Sequence, residues 1–246
     1  MPAAMYRFAR APGKKNSNPV VMGRKVTSTT SLQTRDYLLC KDCEDRFNKN
    51  GEKWMMGRVW NGKRFPLGDL CNVAMECCRL RNAVVYSGLD MGLDTDKLGY
   101  FSLSILWRAA VHEWHTPFGG MSKKLDLGIH EEPIRKFLVG QAPFPQGVVV
   151  MVTVCTDPAS IQTFYLPSLG TGTGLPGTTF SFQALGVRPM VFLGANLSAV
   201  VHGMCCVNSV KRLIFRGDCS KRTFDATFEI MKTSKLAENM KELEQP

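Results

Sequence analysis

The spacing of the apolar residues changes near residue 141, and this change constrains the fold more than any other feature of the chain. Before it, residues 66–81 and 95–115 carry apolar side chains at three- and four-residue intervals, which predicts amphipathic helices. After it, Val148–Cys155 is rich in β-branched residues and Thr178–Ala184 alternates, which predicts strands. A run of helices followed by a run of strands indicates an α+β fold.

The same change gives the predicted domain organisation. Residues 1–66 form a basic N-terminal region, residues 67–140 a helical region, and residues 141–246 a β-rich region. The last two regions are also compatible with one domain, 67–246. The remaining predicted elements are a short helix at 131–139, strands at 190–193 and 210–215, and a closing amphipathic helix at 224–243. We expect the C-terminal strands to form an antiparallel sheet.

Positive charge is concentrated in the first part of the chain. Residues 1–70 contain 14 Lys and Arg against 6 Asp and Glu, whereas residues 71–246 contain 17 against 15. A localised positive field attracts polyanions, so DNA or RNA is the expected partner of the basic region. The candidate phosphate contacts are Arg24, Lys25, Lys41, Arg46 and Lys49.

Composition excludes some classes of protein and disfavours others. The longest apolar stretch, Val148–Cys155, is far shorter than the roughly 20 residues that cross a membrane, so no membrane partner is expected. The nine cysteines are an odd number, and the basic N-terminus has no secretory pattern. We therefore expect reduced thiols and a cytoplasmic location. The adjacent pairs Cys77–Cys78 and Cys205–Cys206 lie in apolar sequence, which predicts burial in the core.

Cys40 and Cys43 are the first candidate site, a CxxC motif entering a predicted helix. Two thiolates at this spacing can bind one zinc ion, and a helix N-terminus favours the thiolate form. Tetrahedral zinc needs four ligands, however, and residues 1–39 contain neither Cys nor His. A redox dithiol is the alternative. The downstream candidates for the missing ligands, none at a convincing spacing, are Cys71, Cys77, Cys78, His112 and His115.

The segment Leu38-Leu39-Cys40-Lys41-Asp42-Cys43-Glu44 resembles the second knuckle of a treble-clef finger of the HNH nuclease type. The wider chain is similar to a group of uncharacterised bacterial proteins built on this plan. The matching stretches are residues 2–7, 37–54, 100–110 and 125–140. The resemblance implies an N-terminal treble-clef remnant, a zinc cofactor held by Cys40 and Cys43, and a nucleic-acid-associated function.

The chain departs from this family where the metal-activating residues would stand. The family has a first CxxC and a Ser-His before this knuckle, and the resemblance places both just ahead of Met1. Asn48 and Asn50 lie near the family's late helix position without matching its spacing. We therefore expect no catalytic residue and no nuclease activity in this chain, whereas the resemblance implies that a longer form could be a metal-dependent nuclease. The alternative is a structural or interaction protein with no metal and no catalysis.

His112 and His115 are a second candidate metal pair. The helix predicted over 95–115 would place both on one face. Their spacing is one residue short of the H-E-x-x-H zinc motif, so capping and surface roles are the alternative.

Two further features receive structural interpretations. Gly172-x-Gly174-x-x-Gly177 matches a dinucleotide fingerprint literally, but Pro176 and the strand after it exclude the helix that the fingerprint requires. This segment is predicted to be a loop. Arg108 lies inside an apolar helical pattern, which predicts a buried ion pair with a carboxylate.

Overall fold

The structure is a computed structural model that describes residues 20–22, 27–29, 38–80, 82–114, 122–161, 164–170 and 177–217. Some predictions lie outside these residues, namely Arg24, Lys25, His115, most of the glycine-rich segment and the closing helix at 224–243. The first two segments are short strands, β1 (Val20–Met22) and β2 (Thr27–Thr29), which pair antiparallel.

Two long elements dominate the helical part of the fold, and one of them is the helix at Thr95–Val111. The other consists of three pieces that follow one another without a break: α1 (Lys41–Phe47), a π-helical turn (Asn48–Glu52) and α2 (Lys53–Met56). We call this run, residues 41–56, the CxxC helix. The other helices are α3 (Pro66–Val73), α4 (Thr95–Val111), α5 (Glu131–Leu138), α6 (Pro158–Ile161) and α7 (Ala199–Gly203), with a 3-10 turn (Gly128–His130) before α5. No described helix is both long and apolar enough to span a bilayer.

Seven of the described strands form one mixed sheet. Their order across the sheet is β3-β4-β9-β5-β8-β7-β6, and β5 and β9 are the only parallel neighbours among them. The sheet therefore joins residues 76–87 to residues 148–217. The strands are β3 (Glu76–Leu80), β4 (Ala83–Ser87), β5 (Val148–Cys155), β6 (Phe164–Leu169), β7 (Thr178–Ala184), β8 (Val187–Leu193) and β9 (Leu213–Gly217).

The α+β class is confirmed, and the predicted antiparallel sheet is present except for one parallel pair. The connection from β8 to β9, which contains α7, carries the chain past β5 to its other side. There β9 runs parallel to β5, with Val152 opposite Ile214, and antiparallel to β4. Hydrophobic periodicity within a strand does not reveal the direction of its partner.

α4 lies in the core that the sheet and the helices share. Asp94 caps it, because its Oδ1 accepts a hydrogen bond from the N–H of Lys97 at 3.1 Å. Phe101 packs against Phe182 of β7 with ring centroids 6.2 Å apart. β5 and β7 occupy the predicted residues, and one connected set of buried side chains extends from Phe47 to Ile214.

The helix predicted over 66–81 is wrong in its second half. α3 ends at Val73, Ala74 is extended (φ −71°, ψ 148°), and the chain turns into β3. Among the described strands, β3 lies at one edge of the sheet, and all of its residues are exposed on both faces. The burial predicted for Cys77 and Cys78 is therefore wrong.

The other cysteines divide into buried thiols and one disulfide. Burial is confirmed for Cys205 and Cys206, which are 3% and 0% exposed. Cys71 is also buried as a free thiol, and burial raises its pKa to about 11. Cys155, at the end of β5, is disulfide-bonded, so the expectation that all thiols are reduced is wrong for this residue. A sequence without known pairings shows which cysteines exist but not which approach each other.

Candidate functional site

Cys40 and Cys43 lie where an extended segment becomes the CxxC helix, as the sequence predicts. Cys40 is the N-cap residue, with extended backbone angles (φ −67°, ψ 162°). Its carbonyl accepts the first helical hydrogen bond from the N–H of Glu44 at 3.0 Å. Cys40 is exposed and Cys43 is half-buried, and both are free thiols. The two side chains therefore open to solvent together at the first turn.

The two thiols differ in their acidity. Hydrogen bonding from the backbone N–H and then from the thiol of Cys43 lowers the pKa of Cys40, although the Cys40 side chain does not form a full helix cap. The same thiol contact raises the pKa of Cys43, and burial adds to this effect. Of the two thiols, Cys40 is therefore the one that ionises more readily.

The CxxC helix crosses α4 at a very short distance. A Cβ built on Gly51 would lie 3.0 Å from Cα of Phe101 and 3.1 Å from its backbone nitrogen. Only a glycine allows this approach, which occurs within the π-helical turn. Gly51 therefore permits packing in the middle of the helix and does not end it.

Phe47 anchors the first part of the CxxC helix in an aromatic cluster. The Phe47 side chain is 1% exposed. Its ring lies edge-on to Tyr100 and Trp107 of α4, with centroids 5.8 Å and 6.1 Å away. Tyr100 in turn donates a hydrogen bond from its hydroxyl to the carbonyl of Leu138 at 2.6 Å, which connects α4 to the end of α5. One aromatic contact set therefore holds three helices behind the thiols.

Arg108 forms the predicted buried ion pair, and its partners lie on the CxxC helix. Its guanidinium pairs with Glu52 through Nη1, and Nη2 lies 3.5 Å from Glu44. The guanidinium carbon also sits 5.0 Å from the centroid of the Phe47 ring. One cation thus connects α4 to Glu44, near the start of the CxxC helix, and to Glu52, two turns later.

The described candidate phosphate contacts have different surroundings. Lys41 and Lys49 are exposed. Lys41 stands beside the exposed carboxylates of the first turn, Asp42 and Asp45, which would repel phosphate. Arg46 reaches the end of α5, since a Cβ built on Gly140 would lie 2.8 Å from its Nη1. Of these described candidates, Lys49 is therefore the one best placed to contact phosphate.

Asn50, considered as a late-helix position, is directed elsewhere. Its side chain hydrogen-bonds to Tyr100, where it opposes the effect of burial, which raises the pKa of the Tyr100 hydroxyl. This contact belongs to the aromatic cluster of Phe47, Tyr100 and Trp107, which packs the CxxC helix against α4. Asn48 is exposed at the start of the π-helical turn.

The helical argument for the pair His112 and His115 does not hold. α4 ends at Val111, and His112 is already extended (φ −135°, ψ 142°). The His112 ring packs edge-on against Trp114, with centroids 4.7 Å apart. His115 lies outside the described residues, so the pair itself stays a prediction.

Cys40 and Cys43 fit half of a tetrahedral zinc site. Within the described segments, no group of three or more His, Cys, Asp or Glu side chains is arranged to hold a metal ion. An ion bound by these two thiols would take its other ligands from beyond those segments or from a second copy of the chain. The treble-clef interpretation, which needs such ligands, stays a prediction.

Sequence reasoning missed the role of Glu44, Glu52 and Gly51, which position the dithiol by attaching its helix to α4. No protein-family model, curated protein or solved structure matches the chain. The chemistry of the site must therefore be inferred from its own geometry. An exposed thiolate beside a second thiol on an anchored helix can bind a soft cation or attack a disulfide.

Proposed function

We propose that this protein binds nucleic acid through its basic N-terminal quarter, with the CxxC helix as part of the contact surface. The observation that carries the proposal is the charge asymmetry, 14 cationic against 6 anionic residues in positions 1–70. The exposed Lys49 on a helix that is anchored by Phe47 and Arg108 supports it. A rigid helix presents its cation without an additional ordering cost on binding.

Such contacts are made mainly to phosphates and depend little on sequence. We expect log K to fall linearly with log salt concentration for duplex DNA and for single-stranded RNA. Fluorescence anisotropy with labelled oligonucleotides of unrelated sequence measures both properties. Binding that is insensitive to salt would contradict the proposal.

A matched pair of lysine variants locates the contact. Lys49→Gln should weaken binding to all sequences and reduce the magnitude of the salt slope by about 1. Lys124→Gln removes an exposed lysine outside the basic quarter and should leave the slope unchanged. The double variant Arg24→Gln/Lys25→Gln tests the two candidates outside the described residues. Equal losses in Lys49→Gln and Lys124→Gln would indicate a diffuse charge effect.

Zinc at Cys40 and Cys43 is the second part of the proposal. Zinc requires thiolates, and the hydrogen bonds from Cys43 lower the pKa of Cys40 toward that form. Elemental analysis of purified protein should find zinc that Cys40→Ser/Cys43→Ser removes and that the exposed control Cys77→Ser/Cys78→Ser retains. Half an ion per chain would indicate that two copies share one ion. Protein that contains no zinc, even after supplementation, would refute this part.

An interaction protein without metal is the competing function, and one observation favours it. β3 is an edge strand with exposed residues throughout, and it is flanked by Val73 and Met75, which are 83% and 80% exposed. Exposed apolar groups beside an unpaired edge are typical of strand-addition surfaces. Absence of both zinc and salt-dependent binding would favour this function over the proposed one.

A further inference from the structure

We propose that Cys40 and Cys43, in their metal-free form, are a thiol–disulfide exchange site for low-molecular-weight disulfides, with Cys40 attacking and Cys43 resolving. This activity goes beyond nucleic-acid binding, which is assigned to lysine and arginine side chains, and it concerns the same thiols as the zinc proposal only in their metal-free form. The two proposals can therefore fail separately.

The different exposure of the two thiols assigns their roles. Cys40 is exposed at the N-cap, so a disulfide in solution can reach its sulfur in line. Cys43 is half-buried one turn further into the helix, behind Cys40. An attacking thiol needs access and thiolate character, whereas a resolving thiol needs only proximity to its partner.

The local backbone allows the two sulfurs to bond. The thiols of Cys40 and Cys43 already contact each other through a hydrogen bond, so the two sulfurs lie side by side at the first turn. Cys40 stands outside the helical hydrogen-bond ladder except for its carbonyl, so its side chain can rotate without breaking helical bonds. The helix behind it is fixed by Phe47 and Arg108, which keeps Cys43 in place.

The reaction balances as two exchanges. The Cys40 thiolate attacks one sulfur of oxidised glutathione, which forms a mixed disulfide and releases one glutathione thiolate. Cys43 then loses its proton to solvent and attacks the Cys40 sulfur, which releases the second glutathione thiolate. The protein is oxidised by two electrons to a Cys40–Cys43 disulfide, and one oxidised glutathione is reduced to two thiols.

The test uses the full chain, reduced and treated with a chelator, then mixed with oxidised glutathione and quenched with acid. Peptide mass spectrometry should find a Cys40–Cys43 disulfide in the unmodified protein. Cys43→Ser should instead accumulate glutathione on Cys40, and Cys40→Ser should form neither product. We expect modification at Cys40 to be about tenfold faster than at the exposed Cys77. The control Cys77→Ser/Cys78→Ser should behave like the unmodified protein.

Two results would overturn the proposal. One is modification of Cys40 and Cys77 at equal rates, which would show that exposure alone governs the reaction. The other is glutathione that stays on Cys40 while Cys43 is present, which would show that Cys43 does not resolve. Circular dichroism of each variant establishes that the helices remain folded in the samples compared.

Discussion

Arg108 of α4 pairs with Glu52 in the middle of the CxxC helix, with only 9% and 12% of their side chains exposed. Both charges lie at the crossing between the two helices, close to the Phe47 ring. A buried pair of this kind adds little to the stability of the fold beyond what a well-packed apolar pair would add. The loss of one partner, however, leaves the other charge buried without a partner. The orientation of the dithiol therefore depends on a residue far away in the sequence.

Removing the cation should destabilise the fold. Arg108→Met leaves Glu52 buried and unpaired, and we expect the free energy of unfolding to fall by about 3 kcal/mol. Glu52→Gln keeps a hydrogen-bond acceptor and leaves Arg108 paired with Glu44, so it should cost about 1 kcal/mol. Urea denaturation measures both. A smaller loss for Arg108→Met than for Glu52→Gln would mean that the pair does not bridge the helices.

The close helix crossing gives a second prediction. Gly51→Ala puts a methyl group against the backbone of Phe101 and should lower the free energy of unfolding by about 1–3 kcal/mol. Gly57→Ala is the matched control, because the nearest atom to its added Cβ is 3.5 Å away. This control should change stability by less than about 0.5 kcal/mol. Similar values for both variants would argue against the crossing.

Alkylation kinetics should distinguish the thiols. Because the pKa of Cys40 is lowered, its thiolate fraction at neutral pH exceeds that of free cysteine, and its reaction with iodoacetamide should rise at a lower pH. Cys71, with its pKa raised to about 11, should stay unmodified in the folded protein at neutral pH. Mass spectrometry of peptides labelled at stepwise pH measures both residues. A Cys40 profile at higher pH than that of free cysteine would refute the hydrogen-bonded arrangement.

The two adjacent cysteine pairs should respond differently to serine. Cys206 is 0% exposed, and Cys206→Ser buries a hydroxyl in an apolar site, which should cost about 1–3 kcal/mol. Cys78→Ser on the exposed edge strand should change the free energy of unfolding by less than about 0.5 kcal/mol. Thermal or urea unfolding of both proteins checks the contrast. A costly Cys78→Ser would imply that β3 is covered in solution.

The elements predicted well from the sequence carry a strong local signal. β5 and β7 occupy the expected residues because β-branched and alternating patterns specify a buried and a half-buried strand. The start of the CxxC helix was also predicted, because the signal for it lies within its own short segment of sequence. β4 was missed because its five residues are too short a run to oppose the helical pattern of its neighbours.

The features that the sequence predicts wrongly or incompletely depend on contacts between distant residues. Arg108 and Glu52 are 56 positions apart, so the sequence indicates that a partner exists without indicating which one. The burial of Cys77 and Cys78 depends on whether their strand lies inside a sheet or at its edge. Local composition is the same in both cases, and only the tertiary arrangement decides.

The position of β9 between β4 and β5 has a consequence for how the molecule assembles. β4 contacts the rest of the described sheet only through β9, which is its last strand along the chain. During synthesis, the β4 side of the β3–β4 hairpin therefore has no strand to pair with until residues 213–217 leave the ribosome. A nascent chain that stalls before that point holds two separate groups of strands, β3-β4 and β5-β8-β7-β6, each with an unpaired edge where β9 would lie.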